Sequence, residues 1–178
     1  MAACDLAFWD YSLQVYARTQ VATALIRLQD QLGADVNVML WCCWLVQCRN
    51  TTPERGALEA ATAAVAPWRE AVVEPLRALR RRIKSAEELR DFVGAQTARD
   101  AVLAAELAAE KAVQLTLESL LSNAAISIHL RALPGAALGV GATKPQLDDA
   151  IVHTLVRYLR LIEVAEPEAP ARDLAELL

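Results

Sequence analysis

Arg77, Arg80, Arg81 and Lys84 form the most basic run in this chain, and binding of phosphates or carboxylates is the chemistry such a run offers. Arg77, Arg81 and Lys84 share one helical face, so they could meet an acidic protein partner or a nucleic acid. No aromatic residue is interleaved with them to stack on bases. The charge balance is modest as well. Residues 1–84 carry ten Lys and Arg against eight Asp and Glu, and residues 85–178 carry eight against fourteen. Neither half has the strongly basic balance of a dedicated nucleic-acid binder, so nucleic acid is not expected. The preferred reading is a solvated face whose cations offset the dipole of the last helical turn. A partner for it would be an acidic protein surface.

A second set of polar residues, Arg18, Asp30, Asp35 and Asn37, with Asp10, lies in an apolar region beside Trp41 and Trp44. Charges are not buried alone, so Arg18 is expected to pair with Asp30, Asp35 or Asp10. The set reads either as a network fixing three short helices or as a small-molecule pocket. The structural reading is preferred.

Other candidates are weaker. Asp148, Asp149 and His153 offer aspartate and histidine at helical spacing, but further metal ligands are wanting and aspartates suit a first turn. Glu106, Glu110 and Glu118 have the look of di-iron carboxylates without the paired Glu-x-x-His units. Gly135, Gly139 and Gly141 lack phosphate-loop spacing, and no Gly-x-Ser-x-Gly or Cys/His nucleophile arrangement occurs. His129 reads as a tolerated helix residue. No catalytic residue, metal or cofactor is assigned. Of the cysteines, Cys42, Cys43 and Cys48 fall on one helix and no Cys-x-x-Cys occurs, so all four, Cys4 included, are expected as small buried thiols in a reducing compartment.

The elements that must position these residues are helices. Leu6, Trp9, Leu13 and Tyr16 predict a first helix with that stripe inward, and Val21, Ala24, Leu25, Leu28 and Leu32 a second. Gly33 ends it in a left-handed turn and Asp35 caps the next. The stretch from about 35 to 49 is apolar nearly all round, the pattern of a buried helix, and too short to span a bilayer, which needs roughly 20 residues. Thr52-Pro53 predicts a helix start, with the helix ending at Ala66. Pro67 restarts the chain, with Trp68, Val72, Leu76, Leu79 and Ile83 as an inward stripe kinked at Pro75. Ser85 to Glu88 reads as a capping box opening a long helical segment to about Leu130, interrupted near Gly94. After a loop at 134–143, Thr143 opens a final helix with Leu147, Ile151, Leu155, Tyr158 and Ile162 inward.

Phe8-Trp-Asp-Tyr-Ser12, Tyr16-Ala-Arg18, Leu28-Gln-Asp30, Asp35-Val-Asn37 and Trp41-Cys-Cys-Trp-Leu45 together resemble a family of small, uncharacterised proteobacterial proteins. Ala66-Pro-Trp-Arg69 and Pro75-Leu-Arg-Ala-Leu-Arg80 extend the resemblance, which covers about residues 6–115. Arg18-Thr19-Gln20-Val21 stands where members often have Arg-Pro-Gly-Val, which bears on the geometry of one turn. The family is a domain of unknown function. It implies a bacterial, helical protein and supplies no catalytic residues.

The expected fold is therefore all-α, six to eight helices around a buried central helix at about 35–49. Residues 1–165 form a single domain, and 166–178 a tail with a short helix. The N-terminal Met-Ala-Ala-Cys-Asp has no basic segment followed by an apolar run, so no secretory signal is expected and the cytoplasm is the default. The leading function is a non-enzymatic protein-interaction or adaptor module, since nothing assembles a nucleophile, base and oxyanion donor. The alternative is a small-molecule-binding protein or enzyme with a pocket near Arg18, Asp35, Asn37, Trp41 and Trp44, Asp30 lying beside it.

Overall fold

The computed structural model describes residues 4–89, 92–134 and 142–178, and its elements run from α1 (Phe8–Tyr16) through α2 (Thr19–Leu32) to the central helix α3 (Val36–Arg49). Gly33 takes a left-handed φ of 67° at the end of α2, a conformation a side chain would strain. Asp35 then caps α3, its carboxylate accepting from the backbone N–H of Asn37 at 2.8 Å. Within α3 every residue is buried except Gln47 and Arg49. The other helices pack around this rod. α8 (Lys144–Leu161) lies alongside it, burying Ile151, Leu155 and Tyr158. The Tyr158 hydroxyl accepts the backbone N–H of Asp35 at 2.8 Å, joining the two helices at the cap.

Beyond α3 the chain forms a short antiparallel ladder, β1 (Thr51–Pro53) with β2 (Leu130–Ala132), in register Thr51 to Ala132. Ladder pairing places Thr52 and Pro53 in β1, so α4 (Arg55–Trp68) starts after Glu54 and not at Thr52. Pro67 does not end α4. The helix passes into a π turn (Arg69–Val73) and on into α5 (Glu74–Ser85) as one rod. The kink expected at Pro75 takes the form of this wide turn, in which the N–H of Glu74 donates to the carbonyl of Arg69. A π turn inserts one residue, rotating the downstream helix by roughly 100°. The stripe counted from Trp68 to Ile83 faces inward only in part: Val72 and Leu76 pack against the core, whereas Trp68 and Leu79 are each 46 % exposed and no residue of α5 is fully buried.

Ser85 ends α5 and is followed only by a single 3-10 turn (Glu87–Leu89), and α6 (Ala95–Ser119) begins after Gly94. α6 stops at Ser119, well short of Leu130, and a single-turn α7 (Ala124–Ser127) leads to β2. In the loop expected at 134–143, residues 135–141, with Gly135, Gly139 and Gly141, lie outside the described residues. Thr143 opens α8 as expected, with Gln146 closing a capping box. α9 (Glu168–Leu177) is the C-terminal helix. It buries Ala171, Leu174 and Ala175 against α2 and α8. Counting α4 to α5 as one rod, eight helical rods stand among the described residues, an all-α bundle around α3 as the sequence predicts.

The cysteines differ from expectation. Cys4 and Cys48 are joined in a disulfide across a Cα separation of 4.4 Å, while Cys42 and Cys43 are buried free thiols. Helical geometry excludes bonds among the three cysteines of α3. It leaves open a partner brought by the N-terminal segment, which lies against the last turn of α3. There Trp44 Nε1 donates to the Leu6 carbonyl at 3.0 Å. No helix of the described residues is long and apolar enough to cross a membrane.

Candidate functional site

α1 has two apolar faces. Phe8, Tyr11, Ser12 and Val15 turn into the core, which leaves Trp9, Leu13 and Tyr16 on the outside. The inward face is thus not the stripe the sequence singled out. Those outer residues form one bank of a cleft of about 340 Å³ that also involves α2, α5 and α6. Ile26 and Gln29 extend the bank from α2. Arg77, Arg80 and Arg81 of α5 face it, and Leu103, Glu106, Leu107, Glu110 and Gln114 of α6 make the floor. The spacing of these α6 residues keeps them on one side of that helix.

The polar residues of the cleft form a connected chain. Arg80 grips Glu106 through Nε and through Nη2, the latter at 3.1 Å. Arg77 reaches the same Glu106 at 3.5 Å, donates to Glu110, and donates through Nη1 to Gln29 at 2.7 Å. The other oxygen of Glu110 accepts from the Asn37 side chain, whose own oxygen accepts from Gln114 Nε2 at 2.8 Å. One network thereby clamps α5 and α2 to α6 and to the first turn of α3. The side chain of Glu106 is 8 % exposed and those of Arg77 and Arg80 are 21 % and 23 %. Arg77 and Arg80 are therefore not members of a solvated face. That description suits Arg81, which pairs at 3.1 Å with an equally exposed Asp30, and Lys84, which is exposed and makes no ion pair among the described residues.

Burial pushes the Glu110 carboxyl above its ordinary range, and the Asn37 and Arg77 donors only partly oppose this. Tyr16, facing Glu110, is likewise raised, first by burial and then by that carboxylate. Each carboxylate oxygen of Glu106 and Glu110 accepts from an arginine or asparagine N–H, so these acids are committed to holding helices together. Among the described residues no group of three or more His, Cys, Asp or Glu is placed to hold a metal. Asp148 pairs with Lys144 at 3.1 Å, and His153 is exposed.

The structure separates the polar set proposed beside Trp41 and Trp44. Arg18 pairs with none of the aspartates. It is exposed and donates to the backbone carbonyl of Leu178 at 2.8 Å, because α9 covers that end of α2. Asp10 is exposed. Asp30 pairs with Arg81 at the cleft, and Asp35 caps α3 with Arg69 at 3.8 Å. Trp41 and Trp44 are fully buried, and of the pocket proposed around them only Asn37 lines the cleft.

Asp35 itself allows a test. Burial raises its carboxyl above the ordinary value, against the opposing pull of Arg69 and the cap hydrogen bonds. Asparagine caps as well as aspartate, so Asp35→Asn should unfold within about 1 kcal/mol of wild type, whereas Asp35→Ala should cost about 1–2 kcal/mol. A raised native value means that the folded chain takes the proton before the unfolded chain does. As pH falls from above the raised value towards the ordinary one, wild type should therefore gain stability relative to Asp35→Asn. Urea unfolding across that range checks this. The opposite trend would show that Arg69, and not burial, governs the group.

What the fold and the lining residues define is a helical bundle with an amphipathic cleft. The chain belongs to the family described as "Protein of unknown function (DUF2390)", which it matches over residues 7–117. Every residue of the cleft falls inside that span, while α8 and α9 lie beyond it. Neither a curated protein nor a solved structure matches the chain.

Proposed function

We propose that this chain is a non-enzymatic interaction module whose working surface is the cleft between the α1–α2 bank and α5–α6. One observation carries the reading: Leu13, Tyr16, Ile26, Leu103 and Leu107, all between 37 % and 52 % exposed, converge on that cleft. Contiguous apolar surface that remains open to water on a folded chain commonly marks a binding site. A second reading, a small-molecule-binding protein, draws support from the cleft volume of about 340 Å³, which falls within the range of ligand pockets.

The test is parallel affinity capture from native cells with wild type and with the double variant Leu13→Glu/Leu107→Glu. Proteins and small molecules retained by each would be identified by mass spectrometry. Both substitutions sit on exposed positions, so the fold should survive, as circular dichroism would verify. A protein retained by wild type and lost by the variant supports the interaction module. A small molecule with that behaviour moves the assignment to the second reading. Equal retention of everything removes the cleft from both.

The same reading keeps the chain in the cytoplasm, and the Cys4–Cys48 bond tests that placement. Disulfides persist in oxidising compartments. Finding both cysteines fully oxidised in acid-quenched native cells would place the protein elsewhere.

A further inference from the structure

We propose that the Cys4–Cys48 bond is a thiol-exchange latch: a small thiol opens it, the segment from Cys4 to Ala7 leaves the last turns of α3, and the bundle stays folded. None of these residues lines the cleft, so the latch does not depend on what the cleft binds.

Little besides the bond seats the segment. Residues 4–7 belong to no helix or strand. The Leu6 carbonyl accepts from Trp44 Nε1 at 3.0 Å, and the Leu6 side chain packs half-buried against the core. Asp5 pairs with Arg49 at 3.8 Å, but its carboxylate is fully exposed and the pair adds little. The bond joins residues 44 positions apart and keeps Leu6 beside Trp44, so these weak contacts form within one molecule at high effective concentration. Once it opens, they alone oppose the conformational freedom that an irregular segment gains by leaving.

Release stops at α1. Phe8 is fully buried with its ring 5.3 Å from that of Trp44, and the Tyr11 hydroxyl donates to Gln47 at 2.8 Å. α1 is thus pinned to α3 by its own side chains, and α3 is buried by the helices around it. A chain of 178 residues with such a core does not need a covalent staple to fold, unlike the small scaffolds built on disulfides. Cys42 and Cys43, on the same helix, are buried and free.

The two sulfurs differ in reach. Cys4 is half-buried and Cys48 is 6 % exposed, so an attacking thiolate arrives at Cys4 Sγ. With glutathione, a new sulfur–sulfur bond forms there, the Cys4–Cys48 bond breaks, and Cys48 leaves as a thiolate that takes up the proton the attacking thiol lost. A second glutathione thiolate attacks the glutathione sulfur of the mixed disulfide and releases Cys4, which is protonated in the same way. Two glutathiones are oxidised to one disulfide, and the protein disulfide is reduced to two thiols. The reverse sequence, with glutathione disulfide as oxidant, closes the latch. Opening uncovers the indole edge of Trp44 and the Cys48 thiol and frees Arg49 from Asp5, so the end of α3 presents a different surface in each state.

The experiment takes the purified chain through graded mixtures of glutathione and glutathione disulfide. At each mixture iodoacetamide is added without denaturant and the labelled cysteines are mapped by mass spectrometry. Circular dichroism and nitrogen-15 NMR follow the same samples. As glutathione rises, Cys48 should gain the label while Cys42 and Cys43 stay unlabelled and the helical signal is unchanged. Residues 5–7 should become mobile, and the Trp44 indole N–H should exchange about tenfold faster while that of Trp41, equally buried, does not change. Cys4→Ser fixes the open state and should show the same mobility and indole exchange at every mixture. A bond that stays closed throughout is a permanent staple and overturns the latch. Labelling of Cys42 and Cys43 along with Cys48, or a Cys4→Ser chain that fails to fold, overturns it too, since the fold would then require the bond. So does a reduced chain in which residues 5–7 and the Trp44 indole are unaltered, or one whose bond does not re-form in glutathione disulfide.

Discussion

Trp41→Ala and Trp44→Ala should each lower the unfolding free energy by about 3–5 kcal/mol, the range for truncating a large aromatic ring in a packed core. Both rings are fully buried in α3, the helix against which the rest of the bundle packs. Their surroundings predict different responses to a gentler change. Trp44 donates to the Leu6 carbonyl at 3.0 Å, lies 5.3 Å from the ring of Phe8, and carries the Arg49 guanidinium 4.6 Å above it. It pegs the N-terminal segment and the start of α1 to the core. Trp41 Nε1 is buried and finds no partner among the described residues. Phenylalanine at 41 thus loses ring volume alone, whereas phenylalanine at 44 also strands the Leu6 carbonyl. Trp44→Phe should be the more destabilising of the two. Urea unfolding followed by circular dichroism measures all four variants. A loss below about 1 kcal/mol in both alanine variants would show that α3 is not the centre of the fold.

α3 is legible in the sequence because several local signals agree: Gly33 as a stop, Asp35 as a cap, and apolar residues on every side after it. Agreement across levels is what lets one segment be read without its neighbours. The first helix fails the same treatment for a definable reason. It is apolar on two faces, Phe8-Tyr11-Val15 and Trp9-Leu13-Tyr16, and periodicity cannot say which of two stripes meets the core and which lines a groove. The rod from α4 to α5 fails differently, since its π turn changes the helical phase and every position counted across it is displaced. The β1–β2 pair and the Cys4–Cys48 bond join residues far apart in the chain, and neither is dictated by local propensity.

The candidate site is visible in the sequence only in pieces. Asn37, Asp30, Arg77, Arg80 and Arg81 are all flagged by type and spacing and all stand at the cleft, yet Glu106 and Glu110 are noted only as carboxylates lacking the histidines of a di-iron site. No single segment shows that the acidic row of α6 faces the basic row of α5. A chain with Glu106, Glu110 and Gln114 on one face of a helix that otherwise turns Ala109, Val113 and Leu117 inward must answer those carboxylates with cations, and Arg77 and Arg80 supply them. Trp41 and Trp44 stand out for their size, which serves the core. Trp9, Leu13 and Tyr16, which do reach the cleft, read as an inward stripe.

The acid–base clamp carries the other large effect. Glu106→Leu should destabilise the protein by about 3 kcal/mol, the lower end of the range for breaking a buried ion pair. The lower end applies because Arg80, at 23 % exposure, can partly turn to water, while Arg77 keeps Glu110. The loss would come less from the attraction itself than from the guanidinium left half-buried without a carboxylate. Replacing both partners separates these contributions. Glu106→Leu/Arg80→Met removes the uncompensated charge and fills similar volume, so it should recover most of the stability lost in the single variant. The exposed pair gives the contrast. Arg81→Met breaks a 3.1 Å contact with Asp30 at side chains that are 54 % and 48 % exposed, and should leave the unfolding midpoint almost unchanged. Thermal and urea unfolding of the three variants would test the assignment. If the double variant proved no more stable than Glu106→Leu alone, the carboxylate would be acting through its contact with Arg77, and the clamp would centre on Arg77 with Glu106 and Glu110 as its two arms. If Arg81→Met cost as much as Glu106→Leu, the division of the α5 cations into internal and solvated members would be wrong.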